Sequence, residues 1–149
     1  MVELVKYINP KSIRILALPA RDDVIHSLVD ALTAEGAGVD PETLYKAVID
    51  REKIVTTGIG MGVAIPHAKL SGFEDFHIAV GILDKGVDWN ALDGNPVKLV
   101  FLIGGPSDKQ TEYLQILSSI TQAIKKEALR KKLILAKTSE EAYDQLKGI

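Results

Sequence analysis

The chain of 149 residues contains no cysteine. Disulfide scaffolds, thiolate zinc sites and cysteine nucleophiles are therefore excluded. Histidine is scarce: His26, His67 and His77 are the only three, and none follows residue 77. No acid–histidine spacing pairs with His67, so a histidine-based metal cluster is not expected. Charge of one sign is also missing, the net value being −2 with both signs interspersed. That removes the basic footprint of a nucleic-acid binder. Long apolar runs are absent too. Val97–Ile103, interrupted by Lys98, falls far short of the roughly 20 residues of a membrane span. The N-terminal MVELVKYINP lacks the charged-then-apolar layout of a signal peptide. These absences predict a cytoplasmic protein with no direct membrane insertion, folded as one domain over residues 1–149.

What is present is ordered. Ile13–Leu18 is β-branched and apolar, and Pro19 stops it. From Asp22, a candidate N-cap, the period changes, and Val24, Ile25, Leu28, Val29 and Leu32 mark one helical face ended by Gly36 and Gly38. Asp40-Pro41-Glu42 starts a second helix by an N-cap carboxylate and a proline at the first position. This helix is expected to end near Arg51-Glu52. Thr56–Gly62 (TTGIGMG) reads as a glycine-rich loop and Val63–Ile65 as a short strand stopped by Pro66. His77–Leu83 and Val97–Ile103 read as longer strands. The second is central because it is apolar on both faces, and turn chemistry at Asp93-Gly94 lies between them. Ser107 with Gln110 forms a capping box, and Leu114, Leu117, Ile120 and Ile124 continue a helical face. Glu127–Ala136 is a short basic helix, and Thr138 with Glu141 caps a last one. The order predicts an α/β fold with one mixed sheet covered by helices.

Four features invite a functional reading. GIGMG fails as a Rossmann loop, because a strand rather than a helix follows, and it lacks the Gly-Lys-Ser/Thr of a Walker loop. A nucleotide site at Gly58–Gly62 is thus disfavoured, although its backbone N–H groups can help hold an oxyanion. His67 follows a strand end beside small Ala68 and the glycine loop. A neutral imidazole is a competent nucleophile there; the alternative is a solvated loop histidine. Arg51 ends a capped helix just before the loop. It serves either as favourable charge at a helix C-terminus or as a forked partner for a phosphoryl group on His67; spacing leaves both open. Trp89 reads as a packing anchor, and Lys125-Lys126 and Arg130-Lys131-Lys132 as solvated helix faces.

The stretch DREKIVTTGIGMGVAIPHAKL (Asp50–Leu70) resembles the signature of the fructose/mannitol-type enzyme IIA domains of the bacterial phosphotransferase system, which include the nitrogen-regulatory IIA proteins. VDWNALDGNPVKLVFLI resembles the strand-turn-strand segment of the same family. The resemblance implies a mixed sheet with helices on both sides, the mannitol-type enzyme IIA fold. It implies that His67 is phosphorylated by the histidine-phosphocarrier protein and that Arg51 stabilises the phosphoryl group. It implies partners of two kinds: a IIB domain in sugar transport, or a regulated target protein in nitrogen-type members. No cofactor, metal or nucleic acid is implied. The chain, with no IIB or membrane portion, looks more like the nitrogen type. One departure stands out. The family's second histidine aligns with Tyr113, a phenol that stays neutral at pH 7. This opens an alternative, a regulatory binding module with weak or no phosphotransfer. Ile59, Met61 and Phe73 are expected in an exposed docking patch around His67.

Overall fold

The computed structural model describes residues 2–148; Met1 and Ile149, the ends of the expected 1–149 domain, lie outside the described residues. Among them, after a 3-10 turn at Leu4–Lys6, the order is β1 (Ile8–Leu16), α1 (Arg21–Thr33), α2 (Pro41–Ile54), β2 (Gly58–Gly60), β3 (Val63–Ala64), β4 (His67–Lys69), β5 (His77–Val87), β6 (Val97–Gly105), α3 (Gln110–Ile124), α4 (Glu127–Leu135) and α5 (Ser139–Lys147). The strands form one sheet in the order β1-β5-β6-β3-β2, with β4 also on β6. It is mixed: β1 runs parallel to β5, β5 antiparallel to β6, and β3 and β4 parallel to β6.

The expected centrality of β6 is correct, and its alternation explains why. Leu99, Phe101 and Ile103 enter one core with Ile116, Ile120 and Ile124 of α3, Leu133 of α4 and Leu146 of α5. Val100 and Leu102 enter the other with Val24, Leu28 and Leu32 of α1 and Leu44 and Val48 of α2. Successive strand residues point to opposite faces, so a strand apolar at every position is buried on both. Helices therefore cover both sides, as expected. No helix among the described residues is long and apolar enough to cross a membrane.

Several boundaries differ from the sequence reading. β1 begins at Ile8 and carries Pro10, with an irregularity between Ile8 and Ile13; an edge strand tolerates proline because it needs no donor on its free side. Ala20, not Asp22, is the N-cap of α1, and Asp22 lies in the first turn. Asp40 caps α2 as expected, accepting from the Thr43 N–H at 3.0 Å, but the helix continues to Ile54. Thr138 likewise caps α5, accepting from the Glu141 N–H at 3.1 Å. The Ser107–Gln110 capping box is absent. Lys109 is the N-cap of α3 without a side-chain bond, and the buried stripe is Tyr113, Ile116, Ile120 and Ile124. Leu114 is 54% exposed, one residue off that stripe.

The glycine-rich segment is a strand and a hairpin turn rather than a loop. Gly60 pairs with Val63 across Met61-Gly62, where φ is 59° and 74°. Both central residues of this two-residue connection are left-handed, the geometry that matches sheet twist. Two of its N–H groups are occupied: Gly58 donates to Thr56 Oγ1 at 3.1 Å and Met61 to Asp93 Oδ2 at 3.1 Å. An aspartate carboxylate thus already takes the Met61 N–H.

Candidate functional site

The strand before His67 ends at Ala64, just short of Pro66, and a second short strand begins at His67. Val63 and Ala64 pair with Leu99 and Val100, and three residues on His67 pairs with Ile103. The chain thus stays on β6, and Pro66 only interrupts the ladder, accepting from the Ile103 N–H at 3.0 Å. His67 is therefore the first residue of β4, on a ladder, and not a loop histidine. Ala68 is buried on the α1/α2 side of the sheet. His67 and Lys69 point the opposite way by alternation, toward the N-terminal turns of α3.

The ring of His67 is oriented by its own strand. Nδ1 lies 3.0 Å from the carbonyl oxygen of Ile65. A carbonyl only accepts, so Nδ1 carries the proton and donates. The lone pair of the neutral ring is then on Nε2. Burial lowers the pKa of His67, and the positive charges of Arg51 and Lys69 lower it further, against the opposing effects of the Ile65 bond and the Glu52 charge. The result is an imidazole that is neutral at pH 7, with one defined nucleophilic nitrogen.

Arg51 lies in the last turn of α2, which packs against β4. Its guanidinium donates to the Val55 carbonyl at 3.5 Å, a long bond that leaves most of the donor fork unused. The Arg51 charge is felt at both His67 and Tyr113. The C-terminus of α2 is locked in place by Glu52, which is 4% exposed. Its carboxylate accepts from the Thr57 N–H at 2.8 Å and from the Thr57 hydroxyl at 2.7 Å. Trp89, fully buried, donates from Nε1 to the same hydroxyl at 3.3 Å. Trp89 is thus the packing anchor expected from the sequence, with a polar tether as well.

Tyr113 meets His67 from α3, the two ring centroids being 5.7 Å apart. It is 6% exposed, and burial raises its pKa, so the phenol stays a neutral donor. Phe76 stacks on it with the ring centroids 6.2 Å apart. That ring lies over Gly105, where an added Cβ would stand 2.0 Å from Phe76 Cδ1. Lys69 places its ammonium 4.1 Å from the Tyr113 centroid and donates to Gln110 Oε1 at 2.6 Å.

The three residues singled out in the sequence thus converge, although Arg51 and Tyr113 arrive from helices on opposite faces of the sheet. The expected docking residues divide: Met61 is 43% exposed, whereas Phe73 is 3% exposed and faces the α1/α2 core. Phe73 is corrected to a core residue because Gly104 leaves room for its ring, an added Cβ there standing 2.6 Å from Cζ. Lys125, Lys126, Lys131 and Lys132 are exposed as expected, but Arg130 is half-buried and donates to the Ile124 carbonyl at the end of α3. Sequence reasoning missed Glu52, Thr57 and Lys69. Only Lys69 had a readable signal, its two-residue spacing from His67 within a strand. A cleft of about 470 Å³ between Tyr7, Asn9, Glu35 and His77 is not lined by His67. Among the described residues no three His, Asp or Glu side chains gather to hold a metal.

Residues 6–148 match the family described as "Phosphoenolpyruvate-dependent sugar phosphotransferase system, EIIA 2". The chain is 36% identical over 120 residues to a nitrogen regulatory protein of Pseudomonas aeruginosa, covering 80% of this chain and 78% of the relative. It is 35% identical over 124 residues to the fructose-specific EIIABC component of Bacillus subtilis, covering 83% of this chain but spanning only 20% of that relative's length. The crystal structure of the nitrogen regulatory protein IIA-Ntr from Neisseria meningitidis superposes with a TM-score of 0.88 at 25% identity, covering 95% of this chain and 97% of that one.

Proposed function

The chain belongs to the EIIA 2 family of the phosphoenolpyruvate-dependent sugar phosphotransferase system, and on that premise we propose that it is a phosphocarrier loaded on His67. The donor is the histidine-phosphocarrier protein. The acceptor is a IIB domain, or the phosphoryl group itself controls binding to a regulated target protein. The observation that carries this reading is the His67–Ile65 bond of 3.0 Å, which leaves Nε2 with the free lone pair. The Nε2 lone pair forms the new N–P bond as the donor's N–P bond breaks, and that electron pair returns to the donor nitrogen. The Nδ1 proton stays where it is, held by the Ile65 carbonyl, so no general base is needed. Catalysis is then positioning plus charge stabilisation. Arg51, with most of its fork unused, is the cation that meets the equatorial oxygens, and Tyr113 donates one neutral hydrogen bond. His67 is only half-buried, which suits a protein donor, whose phosphohistidine must reach Nε2 directly. The protein would act in the cytoplasm, where such donors are.

A second reading is favoured by Tyr113. A neutral phenol cannot add positive charge to a phosphoryl site, so the protein would be a regulatory binding module that takes up phosphate slowly or not at all. Incubation with phosphoenolpyruvate and the upstream phosphotransferase proteins separates the two. The carrier gives an acid-labile adduct that disappears in His67→Ala. Intact wild-type protein without an adduct leaves the binding module.

A further inference from the structure

β4 alternates, so His67 and Lys69 project from the same face of the sheet, one on each side of buried Ala68. Both reach the same ring. Tyr113 lies 5.7 Å from His67 between centroids and 4.1 Å from the Lys69 ammonium. The partners of that ammonium are this π face and the amide oxygen of Gln110 at 2.6 Å; neither is a carboxylate. A lysine serving only structure would be expected in an ion pair or in solvent. Lys69 as a residue is half-buried, its bond to Gln110 is exposed, and it is held beside His67 by neutral partners. A phosphoryl group brings close to two negative charges. A phosphoryl oxygen adds to the hydrogen bond a charge–charge attraction that the neutral amide lacks, so a loaded Nε2 outcompetes Gln110.

We propose that Lys69 is a second catalytic cation of this site, leaving Gln110 for the phosphoryl oxygens as the group transfers to His67. This rests on the carrier reading above. Arg51 and Lys69 then hold the phosphoryl group from opposite sides, with Tyr113 as a neutral floor between imidazole and ammonium. The charge of Lys69 already lowers the His67 pKa in the unloaded protein, in keeping with this placement.

The test loads the full chain with phosphoramidate, a small donor that needs no docking surface, and follows the N–P product by phosphorus NMR. In that reaction Nε2 forms the N–P bond and the donor nitrogen leaves with the electron pair as ammonia. Lys69→Met should load about 10- to 100-fold more slowly, the scale of a lost hydrogen bond to a charged group. Lys69→Arg should recover most of the rate. Lys69→Met should also raise the midpoint of the His67 imidazole titration, and Lys69→Arg, which keeps the charge, should leave it in place. Loading of Lys69→Met at the wild-type rate overturns the proposal while the carrier reading stands. So does slowing in both variants with an unmoved titration, or slowing seen only with a protein donor, which marks a docking role. Wild-type protein that takes no label on His67 from either donor overturns the carrier reading and this proposal with it.

Discussion

The carboxylate of Glu52 binds Thr57 twice, accepting from its N–H at 2.8 Å and from its hydroxyl at 2.7 Å. This pair joins the end of α2 to the start of β2 and so fixes Arg51, the residue before Glu52, relative to the sheet that carries His67.

Removing the clamp should cost stability and loading together. Glu52→Ala leaves two buried donors without an acceptor, a loss of about 3 kcal/mol. Glu52→Gln keeps one acceptor and should lose about 1 kcal/mol. Urea unfolding followed by the fluorescence of Trp89, which is buried against the same threonine, measures both. An Ala variant as stable as wild type would show that the clamp does not hold the helix end.

Gly105→Ala should destabilise by about 1–3 kcal/mol, the cost of overpacking. Its Cβ would stand 2.0 Å from the Phe76 ring, which must move and take its stacking partner Tyr113 with it. Thermal unfolding reads the stability. Displaced Tyr113 and His67 ring signals in the NMR spectrum should accompany it, and unshifted signals would contradict the link.

Acid should weaken the fold before most carboxylates titrate. His67 and His77 both have folded pKa values below the usual histidine value, burial being the main cause in each. The unfolded chain takes up these protons near ~6.5, while the folded protein resists until a lower pH. The unfolded state therefore binds more protons in that window, and stability falls as pH drops from about 7 toward 5.5. His77→Asn should flatten this slope in urea midpoints measured across the range. A slope unchanged in that variant would place the acid sensitivity elsewhere.

Tyr113 should tune loading without deciding it. Tyr113→Phe removes one neutral donor and should slow phosphorylation of His67 by roughly 2- to 10-fold. Tyr113→His introduces an imidazole that can carry charge and should load faster than wild type. Rates from single-turnover labelling test both, and a Phe variant equal to wild type would make Tyr113 a packing residue only.

Much of this was legible in the chain because its signals are local. Asp40-Pro41-Glu42 names a helix start through backbone geometry that needs no partner, and Thr138 with Glu141 does the same. The double-faced apolarity of Val97–Ile103 placed β6 at the centre. The failures were also local in kind. Ser107 and Gln110 have the spacing of a capping box, but the helix starts two residues later, with Lys109 as its N-cap. Leu114 looked like core because leucine is apolar, yet the angle at which α3 meets the sheet turned Tyr113 inward instead. Pro66 looked like a strand stop because proline lacks a donor. β3 does end just before it; what the sequence did not show is that pairing with β6 resumes at His67.

By itself the sequence determined the family, the caps of α2 and α5 and the central strand, and it singled out His67, since each is written in contiguous residues. Only the tertiary structure decided what surrounds that histidine. The Nδ1 proton of His67 is placed by the Ile65 carbonyl, and Arg51 and Tyr113 come from helices on opposite sides of the sheet. Glu52 finds Thr57 only because α2 ends against β2. Lys69 meets Gln110 across 41 residues of chain. Contacts between distant segments depend on how the faces of the sheet are covered, and no periodicity in a single stretch encodes that.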